Sequence, residues 1–295
     1  MVLYNSFNSW GWLESLPADV LESVDVQLGD VRDIASVREL AEGADVIYHL
    51  AALIAIPYSY RSPRSYVDTN VSGTLNVMEA ARQLRTPRVV HTSTSEVYGT
   101  ALRIPIDEDH PLQGQSPYSA SKIGADKLAE SYYRAYNLPV VTLRPFNTYG
   151  PRQSARAVIP TIISQALAKD VVRLGSLETR RDFTYVSDTV DGFLKIAETP
   201  GIEGQTFNLG TGQDISISEL AGLIFELIGQ PVRIEQDGER LRPEKSEVLR
   251  LISDNRKARQ GLDWAPAVSL RDGLAQTIAW VRQHPQAYQV DRFVR

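Results

Sequence analysis

An α/β fold with a doubly wound parallel sheet is predicted by two observations. From about residue 24, short β-branched runs alternate with longer helical patterns, the signature of parallel βαβ units whose sheet is covered by helices on both faces. Three segments, AALIAIP, TSTSE and RPFNTYG, each follow a strand, and in such sheets a ligand sits in the crevice outside the carboxyl ends of the strands. At 295 residues the chain can bury one large core, or a core with a smaller lobe.

VDVQL reads as the first strand of this alternation, SVRELAEG as a helix and DVIYHLAA as a strand. The apolar run from Val46 to Ile56 is too short to span a bilayer and carries His49, so a buried strand running into a loop is expected there. NVSGTLNVMEAARQL is the next helix, RVVHTSTS the next strand, residues 117 to 136 a long helix, and LPVVTLRPFN the strand after it. Beyond Gly150 the pattern is less regular. A helix around VIPTIISQALAK, the strand VVRLG, the segment RRDFTYVSD, a helix to about 197, the strand TFNLG and the helix SISELAGLIFELIG describe a smaller α/β lobe interleaved with the core. Ser216 and Glu219 make a capping box for the last of these helices. The chain shows no internal repeat and no low-complexity linker.

A hydrophobic fraction of 43% and a charged fraction of 23% are those of a globular protein, not of a disordered or fibrous one. The net charge of -5 gives no reason to expect nucleic acid. Without cysteine there is no disulfide framework, no thiolate nucleophile and no cysteine-ligated metal, and no metal site is expected. The amino terminus, MVLYNSFNSWGWLE, lacks the basic start and apolar core of a secretion signal, so a soluble, cytoplasmic chain is expected.

Tyr118 and Lys122 are four residues apart on a predicted helix, which puts both side chains on one face. A tyrosine acting as a base toward a sugar hydroxyl must lose its phenolic proton, and a neighbouring ammonium stabilises the phenolate by lowering a pKa of about 10. The same lysine can hold a ribose hydroxyl. A surface Tyr and Lys on an amphipathic helix have the same spacing, so the pair gains meaning only from its context. That context is the cluster TSTS at a strand end, followed by PYSASK.

Thr94, then Tyr118 with Lys122, then RPFNTYG at 144 to 150 and RDFTYVSD at 181 to 188 form an ordered series that resembles the extended short-chain dehydrogenase/reductase superfamily, the NAD-dependent epimerases and dehydratases. GDVRD at 29 to 33, HLAA at 49 to 52 and ERLRPEKSEV at 239 to 248 extend the likeness over nearly the whole chain. The resemblance implies a Rossmann-like NAD-binding core over residues 1–150 and a mainly nucleotide-sugar-binding lobe over 151–295, with a homodimer formed partly through the helix that bears Tyr118 and Lys122.

Within that superfamily the residues after Thr94 set the subgroup, and a Thr-Ser-Glu sequence resembles the sugar-nucleotide 4,6-dehydratases. UDP-glucuronate decarboxylases also carry TSEVYG, and C4 epimerases share the scaffold. The strings FNSWGWLE, IPYSYRSP, EDHPLQGQSPYSASKIGADK and FNTYGPRQSARAVIPTII look most like configuration-retaining UDP-N-acetylglucosamine 4,6-dehydratases of the legionaminic and related sugar pathways. The resemblance implies catalytic roles for Thr94, Ser95, Glu96, Tyr118 and Lys122. It implies NAD contacts at Asp30, Val31, Leu50, Ala51, Ala52, Asn70, Thr92, Tyr118, Lys122, Pro145 and Asn147. Substrate contacts are implied at Asn147, Val158, Arg181 and Arg242, whose planar guanidinium forks suit a diphosphate. Arg180 and Arg240 stand beside them and read equally well as surface charge.

The chain departs from the family pattern in one respect: it contains no G-x-x-G-x-x-G or G-x-G-x-x-G turn. Aligned by its motifs, MVLYNSFN corresponds to the family's second strand and its loop. The expectation is therefore of a sheet lacking its first, central strand, with open strand edges, bare apolar helix surface and weakened cofactor binding. A reading frame opened at an internal methionine or a fragment of a longer gene, a chain that folds with a rearranged sheet and binds NAD weakly or not at all, and a strand supplied by another polypeptide are the three explanations.

Overall fold

The structure, a computed structural model, describes residues 1–288. In chain order its elements are α1 (Ala18–Glu22), α2 (Ile34–Ala41), β1 (Val46–His49), α3 (Ile56–Arg61), α4 (Pro63–Tyr66), α5 (Gly73–Leu84), β2 (Arg88–Thr92), α6 (Pro117–Tyr136), β3 (Val140–Pro145), β4 (Asn147–Tyr149) and α7 (Val158–Ala168). They continue with β5 (Val171–Leu174), β6 (Arg180–Arg181), β7 (Phe183–Tyr185), α8 (Val186–Glu198), β8 (Thr206–Leu209), β9 (Ile215–Ser216), α9 (Ile217–Ile228), β10 (Arg233–Gln236), β11 (Arg250–Leu251), α10 (Arg256–Leu262) and α11 (Leu270–Gln283). The fold is a Rossmann-like α/β fold with a parallel main sheet in the order β1-β2-β3-β8.

Helices cover both faces of this sheet, as βαβ crossovers require. On one face α2, α5 and α6 bury Val37, Val77, Met78 and Ala129 against Val89 and Val140. On the other, α8 and α10 pack Ile196, Ala258 and Leu262 with Trp264 against Val90, Val141 and Phe207. A third core, built from α7, α9 and α11 around β5 and β7, forms the smaller lobe. There β10 pairs with β5, β11 and β9 flank β6, and β4 pairs with β7. The chain returns from this lobe to place β8 beside β3, so the two halves of the sequence share the main sheet.

The helix that carries Tyr118 is held at both ends by its own sequence. Ser116 and Ser119 form a reciprocal capping box, Pro117 occupies the first helical turn where its missing N–H costs nothing, and Asn137 closes the helix in the left-handed conformation. The box at Ser216 and Glu219 does the same for α9.

Two expectations need correction. VDVQL is not a strand: Leu28 forms one isolated parallel bridge with Val2, and neither segment joins the main sheet. Nor is the Val46–Ile56 run buried throughout, since β1 is the last strand at its side of the sheet and pairs only with β2 among the described residues. Tyr48 is 38% exposed, and Leu50 and Ile54 in the following loop are 62% and 61% exposed. Apolar composition marked this segment as a strand but could not say whether both of its edges find partners.

Candidate active site

Three elements converge at the carboxyl end of β2. Thr94 caps the short 3-10 turn Ser95–Tyr98, its hydroxyl accepting the Glu96 N–H at 3.2 Å, and Ser95 is buried at the start of that turn. The first two turns of α6 bring Tyr118 and Lys122 to the same place. Lys122 Nζ donates to the Thr92 carbonyl at 2.6 Å, and the Thr94 side chain lies close enough to the Tyr118 phenol to act on its ionisation. Thr94, Tyr118 and Lys122 thus form one constellation, with Glu96 close enough for its charge to act on Tyr118.

Both members of the helical pair are buried, and burial decides their protonation. It pushes the Tyr118 phenol up from its ordinary value, against the smaller downward pull of the Thr94 side chain. The sequence reading expected a phenol lowered by the ammonium. In the protein by itself desolvation dominates, and Lys122 Nζ is directed at the Thr92 carbonyl. Burial also lowers Lys122 to about 8, opposed by the charge of Asp126.

The opposite wall is set by Asn70, buried in the irregular turn Val67–Ser72. Its amide donates to the Leu53 carbonyl and to Ser121 Oγ, both at 2.9 Å, and its oxygen accepts the Leu53 N–H at 2.8 Å, tying the AALIAIP loop to α6. Leu50, Ala51 and Ala52 lie in this loop beyond β1. Pro145 ends β3 and Asn147 begins β4. Thr92 Oγ1 and Asn147 Oδ1 are buried without a hydrogen-bond partner. An unpaired buried polar atom is costly, and a ligand hydroxyl would relieve it. Val31 packs its side chain over Gly73, which leaves its backbone alone as a possible contact, and the Asp30 carboxylate is engaged by Arg32 at 2.5 Å.

A cationic wall closes the far side. Arg181 is buried, with Nη2 at 3.6 Å from Glu247, and desolvation lowers the pKa of its guanidinium. Arg242 Nη1 lies 3.8 Å from Glu96 Oε1 and 3.9 Å from Glu247 Oε1, buried but without a hydrogen bond. Val158, the first residue of α7, packs against the core of the smaller lobe. Arg180 pairs with Asp214 and Glu219 at 3.2 and 3.0 Å, and Arg240 with Asp237 at 3.2 Å. The structure therefore brings Arg181 and Arg242 to Glu96, and ties the other two arginines to neighbouring carboxylates. Sequence reasoning missed Glu247, five residues after Arg242, and it missed the buried pair Asp126 and Arg144. Asp126 had a signal in its place four residues after Lys122 on the same helix.

Residues 1–277 match the GDP-mannose 4,6 dehydratase family. The chain is 37% identical to a UDP-glucose 4-epimerase of Mycolicibacterium smegmatis over 82% of its own length and 77% of that protein's. It is 36% identical to a dTDP-glucose 4,6-dehydratase of Streptomyces griseus, over 87% and 77% of the two chains. The structure superposes on DesIV, a dTDP-glucose 4,6-dehydratase of Streptomyces venezuelae solved with NAD and TYD bound, with a TM-score of 0.81 at 32% identity, covering 92% of this chain and 85% of that one. A parallel sheet with a Tyr–Lys pair at one strand end, matched along nearly all of its described length, places the chain in the GDP-mannose 4,6-dehydratase family of extended short-chain epimerases and dehydratases.

Proposed function

We propose that this protein is an NAD-dependent nucleotide-sugar 4,6-dehydratase, a lyase that converts UDP-N-acetylglucosamine to its 4-keto-6-deoxy product. The observation that carries the reading is Glu96, a carboxylate two residues beyond Thr94 and beside the Tyr118–Lys122 pair, facing Arg242. An epimerase has no need of a base there.

The residues near the Tyr118–Lys122 pair fit the nicotinamide-ribose end of NAD. Lys122, Tyr118 and the unpaired Thr92 and Asn147 oxygens offer partners for ribose and carboxamide groups, with Asn70, Leu50, Ala51, Ala52 and Pro145 lining the approach and Asp30 and Val31 toward the adenosine. A glycine-rich phosphate cradle is not among the chain's motifs. NAD+ bound there would supply the hydride acceptor for C4, and its reduced form the hydride donor for C6.

The protein's own residues handle the protons. Tyr118 takes the C4 hydroxyl proton while Thr94 hydrogen-bonds the C4 oxygen, and Lys122 stabilises the phenolate charge. Oxidation at C4 acidifies the C5 proton, which Glu96 removes. The C6 hydroxyl then leaves as water, protonated by the acid form of Glu96 through Ser95 or a water, and C5 takes up the proton held by Tyr118 when hydride is delivered to C6. Arg181, Arg242 and Asn147 hold the diphosphate, with Val158 beside it. The protein acts as a homodimer in the cytoplasm, and residue 150 marks the working boundary between its cofactor and substrate lobes.

Incubation with UDP-N-acetylglucosamine and NAD+ tests the proposal: a 4-keto-6-deoxy product supports it. A C4 isomer would make the chain an epimerase, as its likeness to the mycobacterial enzyme allows. Carbon dioxide from UDP-glucuronate would make it a decarboxylase, and binding without turnover a non-catalytic member.

A further inference from the structure

Behind the Tyr118–Lys122 pair lies a buried cluster that the proposed reaction leaves unused. Asp126 follows Lys122 by one helical turn, so Tyr118, Lys122 and Asp126 run along one face of α6. The carboxylate is 4% exposed and fully engaged. Its Oδ1 lies 3.1 Å from His91 Nε2, and its Oδ2 accepts from Ser93 Oγ at 2.8 Å and from Arg144 Nε and Nη2 at 3.1 and 3.0 Å. Arg144 Nη1 donates onward to the Tyr98 hydroxyl at 2.9 Å, and that hydroxyl donates to Asn208 Oδ1 at 2.7 Å. One carboxylate thereby links α6 to β2 and β3 and, through Tyr98, to the turn that carries Glu96 and to β8.

His91 and Ser93 flank Thr92, whose carbonyl receives Lys122. Asp126 thus fixes β2 against α6 on either side of the atom that holds the ammonium. The charges around Lys122 come from each packed element. Asp126 lies on its own helix, Arg144 on β3, His91 on β2 and His49 on β1, and burial lowers the pKa of both imidazoles. His91 Nδ1 has no partner, which suits a neutral ring whose Nε2 proton points at Asp126. Of these groups Asp126 is the one whose charge opposes the desolvation of Lys122. A buried ion pair adds little net stability over apolar packing, so its location behind the lysine is the informative feature.

We propose that Asp126 is the positioning residue of the Tyr118–Lys122 pair: its carboxylate, one helical turn behind Lys122, locks the β2 strand end to α6 on either side of the carbonyl that receives the lysine and places a negative charge behind it. The kinetic consequence rests on the dehydratase reading, but the electrostatic one does not.

Side-chain NMR titration of isotope-labelled lysine, with Lys122 assigned by its loss in Lys122→Arg, tests this in the free protein. In Asp126→Asn the Lys122 titration should move down by about one unit or more. Ser93→Ala, which removes one hydrogen bond to Asp126 and no charge, should leave it in place. Should Asp126→Asn not fold because Arg144 is left unpaired, Asp126→Asn combined with Arg144→Met removes both charges and should still move the Lys122 titration down, though by less because a cation is lost with the carboxylate. An unmoved Lys122, or an equal shift in Ser93→Ala, overturns the proposal. With substrate, the alkaline limb of the kcat/KM profile should move to lower pH and kcat should fall more than KM changes. Absence of turnover in the parent protein would refute the dehydratase reading, while the titration still decides the role of Asp126.

Discussion

Glu96 and Arg242 stand 3.8 Å apart, too far for a hydrogen bond and near enough for each to feel the other's charge. Replacing the carboxylate by an amide keeps the shape and removes the proposed base, so on the proposed dehydratase reaction Glu96→Gln is expected to lower turnover by roughly 10²- to 10⁴-fold. Oxidation at C4 does not need this group. Reduced nicotinamide should therefore accumulate on mixing with substrate, seen as absorbance in stopped flow, and its failure to do so would remove Glu96 from the deprotonation step. At this scale the sequence was informative wherever chemistry depends on short spacing. Tyr118 and Lys122 are four apart, and Thr94 and Glu96 two apart. It was silent where a partner comes from a distant strand: nothing local says that Asp126 meets Arg144 of β3 and His91 of β2, because that meeting depends on strand order.

Helix α6 delivers two of the site's side chains from its first two turns, so its cap bears on chemistry as well as stability. Ser116→Ala removes the acceptor for the Ser119 N–H and should cost about 1 kcal/mol, read as a fall in Tm of roughly 2–4 °C by calorimetry. If the first turn frays, kcat should fall with it, whereas an unchanged Tm would mean that Pro117 and packing alone hold the register. The bounds of α6 were legible because Ser-Pro at one end and Asn at the other are chemical signals. The fate of VDVQL was not. A strand exists only when a neighbour completes its hydrogen bonds, and the run finds only Val2. The same limit applies to β1, whose outer edge has no partner strand among the described residues and leads into exposed Leu50 and Ile54.

Across the whole molecule, the alternation of strands and helices was enough to anticipate a parallel sheet, and the return of TFNLG to that sheet as β8 was not, because nothing in its composition names β3 as its neighbour. The sheet's buried imidazoles make stability pH-dependent. Burial depresses both His49 and His91 below the unfolded value of 6.5, so the unfolded chain binds more protons as acid is added. Their neutral burial is without penalty above that value, and stability is lost progressively as the pH falls from it through the depressed folded values. Asp126, lowered to about 2 despite its burial, adds a second loss as the pH falls through the ordinary carboxylate range toward that value. Urea midpoints should be level near pH 7, decline below about 6.5, and rise again from about pH 8 toward 10.5, where the unfolded chain keeps the Lys122 proton that the folded one gives up. His49→Gln should make that decline shallower, and an unaltered slope would show that other groups carry it.

The file of Tyr118, Lys122 and Asp126 along α6 carries a constraint of another kind. Removing or adding one residue between them would rotate everything beyond it by about 100° about the helix axis. Individual side chains elsewhere in that stretch can change, but its length cannot: in any functional descendant of this gene, insertions and deletions should stop at Pro117 and resume only after Asp126.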